Sequence, residues 1–304
     1  MTNSSDWTRR EFIAGIAGAS GLAAATSRKL GYIDAHAHVW SGDTARWPRA
    51  AAVPGQKVEP TAFLPEELLG HGKPSGVTRV VLIQRGFHGN DNRYMFSVLQ
   101  KQRDRFSAVA RIDHLAPNAP ATMKQLEQQG ARGFRISPDG KPLTWLDSAG
   151  MDTLWRFAAE RRLAICPLVD PNALPSIERM CARHPETTVV IDHLCRIGVS
   201  GSFEEADIRA LCALGARKQV HVKVSGFHAL GGKAPPYLDL RPLIRRVYDA
   251  YGASRLMWGT DAPSQVINGN SYQAAFALVN ERLDFLSKSD RDWILRGTAE
   301  RIFF

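Results

Sequence analysis

The chain lacks several things, and each shortage removes a class of protein. No segment of its 304 residues is a strongly apolar run of about 20, the length a bilayer-spanning helix needs. Cysteine is scarce: Cys166, Cys181, Cys195 and Cys212 show no C-x-x-C and no other metal-like spacing. That excludes a cysteine-held zinc site or a disulfide scaffold; the four read as structural, with their redox state left open. Acidic residues are outnumbered, 30 against 39 Lys plus Arg, for a net charge of 39 − 30 = +9. Yet no window holds a dense basic run interleaved with aromatics. The scattered positives read as solvated helix surface rather than a nucleic-acid site, which leaves anionic small substrates compatible with the charge. With 44% hydrophobic and 23% charged residues, the composition excludes disorder, collagen and coiled coil.

The first thirty residues have the layout of an export signal. A polar start ends in Thr8-Arg9-Arg10-Glu11-Phe12, and no charge follows until Arg28. The uncharged stretch from Phe12 to Ser27 is 16 residues of mostly small or apolar type, closing on Leu22-Ala23-Ala24-Ala25, a site suited to signal peptidase. The paired arginines followed by x-Phe-Ile resemble the twin-arginine motif, whose translocon carries folded proteins. Residues 1–30 are therefore read as a signal peptide and short linker, with the Tat translocon as a transient partner. A periplasmic location without stable membrane insertion after cleavage follows from that reading.

Residues 31–304 show no linker or break in composition and read as one domain. Eight strand-sized, β-branched runs recur: 32–38, 77–84, 106–112, 131–136, 163–169, 188–193, 220–225 and 255–261. Amphipathic segments with helical spacing separate them, such as Met151, Leu154, Trp155 and Ala158. Run starts lie roughly 25 to 45 residues apart, as βα units require, and eight such units close into an α/β fold, the (β/α)8 TIM barrel. Pro167 fits only at the end of the fifth strand. The long Val39–Gly76 connection is read as lying over the catalytic face as a partial lid.

Barrel strands deliver their last side chains to that face. The first run ends in His36-x-His38, whose imidazoles point the same way by the period of two. The sixth ends in Asp192-His193, and the eighth in Gly259-Thr260-Asp261. Three histidines and an aspartate at one mouth make either a mononuclear divalent metal site or a metal-free acid/base and carbonyl-polarising cluster. Lys223 is read as lying outside the pocket or at its wall.

Ile33-Asp-Ala-His-Ala-His38, Val190-Ile-Asp-His193 and Leu256-Met-Trp-Gly-Thr-Asp-Ala-Pro263 resemble the amidohydrolase superfamily, in the branch of 2-pyrone-4,6-dicarboxylate lactonase and the sugar lactonases. The resemblance extends through Phe87-His-Gly-Asn-Asp-Asn-Arg93, Gly130-Ala-Arg-Gly-Phe-Arg135, Val222-Lys-Val-Ser-Gly226 and the closing segment Leu295 to Phe303. It implies a hydrolase acting on carboxylic ester bonds, opening a lactone. Asp261 would take a proton from the attacking water. His36, His38 and His193 would polarise the carbonyl directly or, with Asp261, through one Zn or Mn ion. Arg135, His88 and Asn90 would bind the small-molecule substrate, an acidic lactone being the kind that an Arg fork and a net positive chain suit. Strand four offers Arg135 and strand five Cys166 where a binuclear centre would need ligands. Ser225-Gly-Phe-His-Ala-Leu230 carries no arginine where the pyrone lactonase has one for its second carboxylate. The alternatives are a metal-dependent non-oxidative decarboxylase on the same barrel and a non-catalytic exported binding protein.

Overall fold

Each of the eight apolar runs forms a short parallel strand: β1 (Tyr32–Ala37), β2 (Val77–Ile83), β3 (Phe106–Ala110), β4 (Ala131–Ile136), β5 (Ala164–Pro167), β6 (Thr188–Ile191), β7 (Val220–Val224) and β8 (Leu256–Trp258). The structure is a computed structural model that describes residues 31–50, 58–138 and 142–304. The export signal read over residues 1–30 lies outside the described residues. The strands pair in sequence order, β1 to β8, in one eight-stranded sheet. Sheet closure occurs beyond the last rung of β8. Ala37 bridges Ala262 in parallel, His38 N donates to Ala262 O at 2.9 Å, and Asp261 N donates to His36 O at 2.7 Å. The segments that close the barrel are thus the ones that carry the histidines and the aspartate. The result is the expected (β/α)8 TIM barrel.

Helices cover the outside, among them α1 (Pro65–Gly72), α2 (Arg93–Lys101), α3 (Ala119–Gln129), α4 (Ala149–Arg161), α5 (Leu174–Arg183), α6 (Glu205–Ala213), α7 (Arg241–Tyr251) and α8 (Tyr272–Ala277). Strand alternation divides the core in two. Val80, Leu82, Ile165, Val189, Val222 and Trp258 face the helices, while Val81, Ile83, Ala164, Cys166, Val190 and Met257 fill the barrel. Two later helices, α9 (Lys288–Asp292) and α10 (Thr298–Phe303), complete the chain. Phe303 of α10 joins the inner cluster, and Ser107 Oγ donates to its carbonyl at 2.6 Å, so the C-terminal helix plugs the base.

Pro167 ends β5, where its missing N–H breaks no rung and its carbonyl accepts from Asp192 N at 3.0 Å. All four cysteines are free thiols. In the long connection after β1, Trp40 and Phe63 exchange backbone hydrogen bonds at 2.9 Å. The Arg85 guanidinium, past the end of β2, lies 5.9 Å from the Trp40 ring centre.

Candidate active site

Strand β1 presents two histidines to the barrel mouth because its alternation is interrupted. Ile33 and Ala35 pack in the inner cluster, whereas Ala37 packs with the outer one, and the register to β2 shifts between Asp34 and Ala37. This irregularity sends Asp34 outward although it shares its parity with His36 and His38. Asp34 is fully buried and accepts from Thr260 N at 2.9 Å, Thr260 Oγ1 at 2.6 Å, Tyr272 OH at 3.0 Å and His36 N at 3.1 Å. Burial pushes its carboxyl up to about 6 against those hydrogen bonds. Its role is to tie the first strand to the segment that carries Asp261.

Asp261 is the hub of the mouth. Its Oδ1 lies 2.7 Å from His38 Nε2, 3.6 Å from His36 Nε2 and 3.9 Å from Arg85 Nη1. Its Oδ2 lies 3.9 Å from His193 Nε2 and 3.6 Å from His228 Nε2. Burial alone would raise this carboxyl, but the surrounding imidazoles, His193 and His38 foremost, hold it well below the usual carboxylate range. The histidines are themselves pushed down by burial, His38 and His193 to about 4 and His36 well below its ordinary value. The mouth therefore presents an ionised carboxylate among neutral imidazoles. Asp261 adopts φ +68°, a left-handed conformation uncommon for a non-glycine residue.

His193 is aimed by an unusual backbone. It opens a run of four left-handed residues, His193, Leu194, Cys195 and Arg196, with φ between 50° and 57°. Each costs roughly 1 to 2 kcal/mol relative to the right-handed form. The reversal folds the ring back over the mouth, where Nδ1 meets Ser225 Oγ at 2.9 Å and the ring centre lies 4.3 Å from that of His36. Gly226 leaves room for it. A Cβ there would stand 2.9 Å from His193 Cγ and Nδ1, at a φ of +73° that side chains resist. Gly226→Ala is expected to displace the imidazole and lower kcat by about 10- to 100-fold, with a stability loss of about 1 to 3 kcal/mol. Steady-state kinetics and urea unfolding check both, and wild-type turnover in the variant would show that His193 placement is not critical.

Beneath the histidines lies a buried ion pair. Lys223 Nζ is 3.0 Å from Asp192 Oδ1 and 3.2 Å from His36 Nδ1, and Asp192 Oδ1 is 3.3 Å from the same ring nitrogen. Both side chains are fully buried. Lys223, expected outside the pocket or at its wall, stands inside the barrel. His221, Lys223 and Ser225 are two apart, so one face of β7 carries all three, and that face is the inner one. Burial would raise the Asp192 carboxyl, but Lys223, with His36 and Arg135, holds it well below its ordinary range.

The structure brings His36, His38, His193 and Asp261 together. Arg135 stands close by, its Nε 3.7 Å from Asp192 Oδ2 and its guanidinium almost wholly buried. His88 is turned toward the long connection, its Nδ1 3.3 Å from Pro48 O, and Asn90 is exposed on the loop after β2 with its carbonyl accepting from Asn92. Neither makes a hydrogen bond or ion pair with the four among the described residues. His228, which the sequence reading did not single out, stands in the turn after β7; its place on a strand-to-helix loop of the catalytic face is the signal that could have found it.

The donor set fits a divalent cation. A carbonyl only accepts, so the 2.6 Å contact between His38 Nδ1 and Ile83 O places the ring proton on Nδ1. The lone pair of Nε2 then faces the ionised Asp261 Oδ1 at 2.7 Å. Two acceptors this close need a proton or a cation between them, and burial disfavours the imidazolium. His36 Nε2 is likewise buried with no hydrogen-bond partner. His36, His38 and Asp261 each offer a ligand atom within 4.8 Å of the others, and a second overlapping group is His36, Asp192 and His193.

A (β/α)8 barrel with three histidines around an ionised aspartate at its C-terminal mouth has the equipment of a hydrolase that activates water. The sequence family agrees: residues 33–304 match the amidohydrolase family, and the chain belongs to it. It is 30% identical over 274 residues to the L-fucono-1,5-lactonase of Burkholderia ambifaria, a match covering 88% of this chain and 93% of that one. It is 27% identical to the 4-sulfomuconolactone hydrolase of Hydrogenophaga intermedia, covering 89% and 88%. Among solved structures, a zinc-bound amidohydrolase from Burkholderia multivorans superposes with a TM-score of 0.77 at 25% identity, covering 90% of this chain and 99% of that one.

Proposed function

We propose that this enzyme hydrolyses the cyclic ester bond of a small lactone bearing an acidic group. The observation that carries the reading is the division of labour on Asp261: Oδ1 faces His38 and His36, while Oδ2 faces His193 and His228. One oxygen is engaged and the other is open to a water. The carboxylate takes a proton from that water as its oxygen attacks the lactone carbonyl. His193 lines the space where negative charge develops, and a donor fixed there stabilises it. The ring C–O bond then breaks, and the departing alkoxide recovers the proton from the Asp261 carboxylic acid, giving the open hydroxy acid. A divalent cation held by His36, His38 and Asp261 would add Lewis-acid stabilisation of the carbonyl oxygen.

Two arginines favour an anionic substrate. Arg135 is buried beside Asp192, and Arg85 is part-exposed above Asp261. Their forks suit a carboxylate or sulfonate carried on the lactone ring. The absence of an arginine after β7 favours one such group over two.

A pH-indicator assay over sugar lactones, muconolactones and pyrones, run on the purified chain before and after chelation with metal content measured, tests the reading. Acid release from at least one acidic lactone is expected, falling at least tenfold on chelation and returning with Zn or Mn. Release of CO2 from hydroxybenzoates instead would transfer the site to decarboxylation, and tight ligand binding without turnover would make the barrel a binding protein. Activity indifferent to chelation and to added metal would assign carbonyl polarisation to the imidazoles alone.

We further propose export of the folded enzyme through the twin-arginine route, on the strength of Arg9, Arg10 and the uncharged stretch that follows. Arg9→Lys with Arg10→Lys is expected to hold the protein in the cytoplasm, as fractionation would show; unchanged periplasmic recovery would refute the route.

A further inference from the structure

On the barrel face opposite the histidines, a cavity of about 740 Å³ opens beneath the sheet. Its walls include Ala164 and Thr188, the first residues of β5 and β6, and the end of α10. Four cationic side chains line it, Arg162, Lys218, Arg255 and Arg301, and no acidic residue does. None of the four is paired with a carboxylate among the described residues. Elsewhere on the helices, arginines find acids: Arg217 bonds Glu178 at 2.6 Å, Arg246 bonds Glu205 at 3.0 Å and Arg161 bonds Glu127 at 2.8 Å. The cavity is where that pairing stops.

Two of the cations are fixed in place. Arg255 donates to the carbonyls of Tyr251 at 2.9 Å, Gly215 at 2.8 Å and Arg217 at 3.0 Å, and Arg301 donates to Ser254 O at 2.6 Å. These bonds position the guanidiniums without neutralising them. His221 adds no charge: burial, with Arg301 and Arg255 beside it, holds its imidazole at about 4. Its Nδ1 donates to Gln219 O at 3.1 Å, so Nε2 offers a lone pair toward Arg301. Arg162 and Lys218 are exposed arms at the rim.

Four like charges in one concavity repel one another, and a concave low-dielectric wall focuses their field on any anion that enters. The volume is that of a small-molecule site, and four cations gathered in one concavity differ from the extended stripe that tracks a nucleic-acid backbone. We propose that this cavity binds a small anion with two or more carboxylate or phosphate groups, at a site separate from the catalytic mouth.

Titration calorimetry of the purified chain with citrate and with inorganic pyrophosphate, and with acetate as the singly charged control, tests the proposal and tells carboxylate from phosphate chemistry. One or both polyanions should bind at physiological salt and acetate should not. Arg162→Glu with Lys218→Glu, both at exposed positions, should weaken that binding by at least about tenfold while circular dichroism stays unchanged. Arg135→Gln, at the mouth, should leave it intact. No binding of either polyanion, binding unaffected by the double substitution, or binding lost in Arg135→Gln alone would each overturn the proposal. Displacement of the polyanion by a DNA oligonucleotide of equal or higher affinity would overturn it as well, by making the cavity part of a nucleic-acid surface.

Discussion

Asp261→Asn is expected to lower kcat for lactone hydrolysis by about 10³-fold or more while the far-ultraviolet circular dichroism of the barrel is preserved. The substitution keeps the shape of the side chain and its hydrogen-bond reach to His38 Nε2, 2.7 Å from Oδ1. What it removes is the ability to accept a proton and the negative charge that four imidazoles and Arg85 surround. An amide places an NH2 or a carbonyl where a carboxylate oxygen faced the water, and neither returns a proton to the leaving alkoxide. General-base loss accounts for a factor of 10² to 10⁴. The same variant is expected to bind less metal, because one of three ligand atoms becomes a weak neutral donor. Activity within tenfold of wild type would remove Asp261 from the chemistry and pass the base to His193 or His228.

The sequence made the barrel readable because its strands are buried on both faces and hence appear as continuous apolar runs, bounded by helices of a different period. Strand ends were less readable. The run 255–261 contracts to Leu256–Trp258 because Thr260 and Asp261 leave the ladder to bond β1 across the closure, a partnership fixed only by the three-dimensional seam. The four central residues were legible for the same reason as the strands: each stands at the C-terminal end of an apolar run, where a barrel places its chemistry. Asp34 was not. It has the parity of His36 and His38, and only the register irregularity in β1 sends it to Thr260 and Tyr272 instead. Lys223 was legible, since a spacing of two from Ser225 puts it on the inner face, and the reading that set it outside misapplied that period. His228 sits in a short turn whose conformation has no period to read.

Removing the cation at the centre of the barrel should reach further than the active site. Lys223→Met keeps all but the terminal atom of the unbranched side chain and leaves Asp192 ionised in a fully buried position. Breaking a buried pair from one side typically costs about 3 to 5 kcal/mol, because the remaining charge is uncompensated. Here Arg135 Nε, 3.7 Å from Asp192 Oδ2, supplies part of the missing charge, which places the expected loss near 3 kcal/mol. Asp192→Asn in the same chain removes the orphaned charge and should recover at least half of that loss, a coupling that a double-mutant cycle from urea unfolding would register. Turnover should not recover with stability. His36 Nδ1 touches both Lys223 and Asp192, at 3.2 and 3.3 Å, so the double variant leaves the ring without the charged partners that orient Nε2 toward Asp261. A variant that regains stability and activity together would mean that the pair serves the fold alone. A Lys223→Met chain within 1 kcal/mol of wild type would mean that Arg135 already neutralises Asp192 and that the lysine is dispensable to the fold.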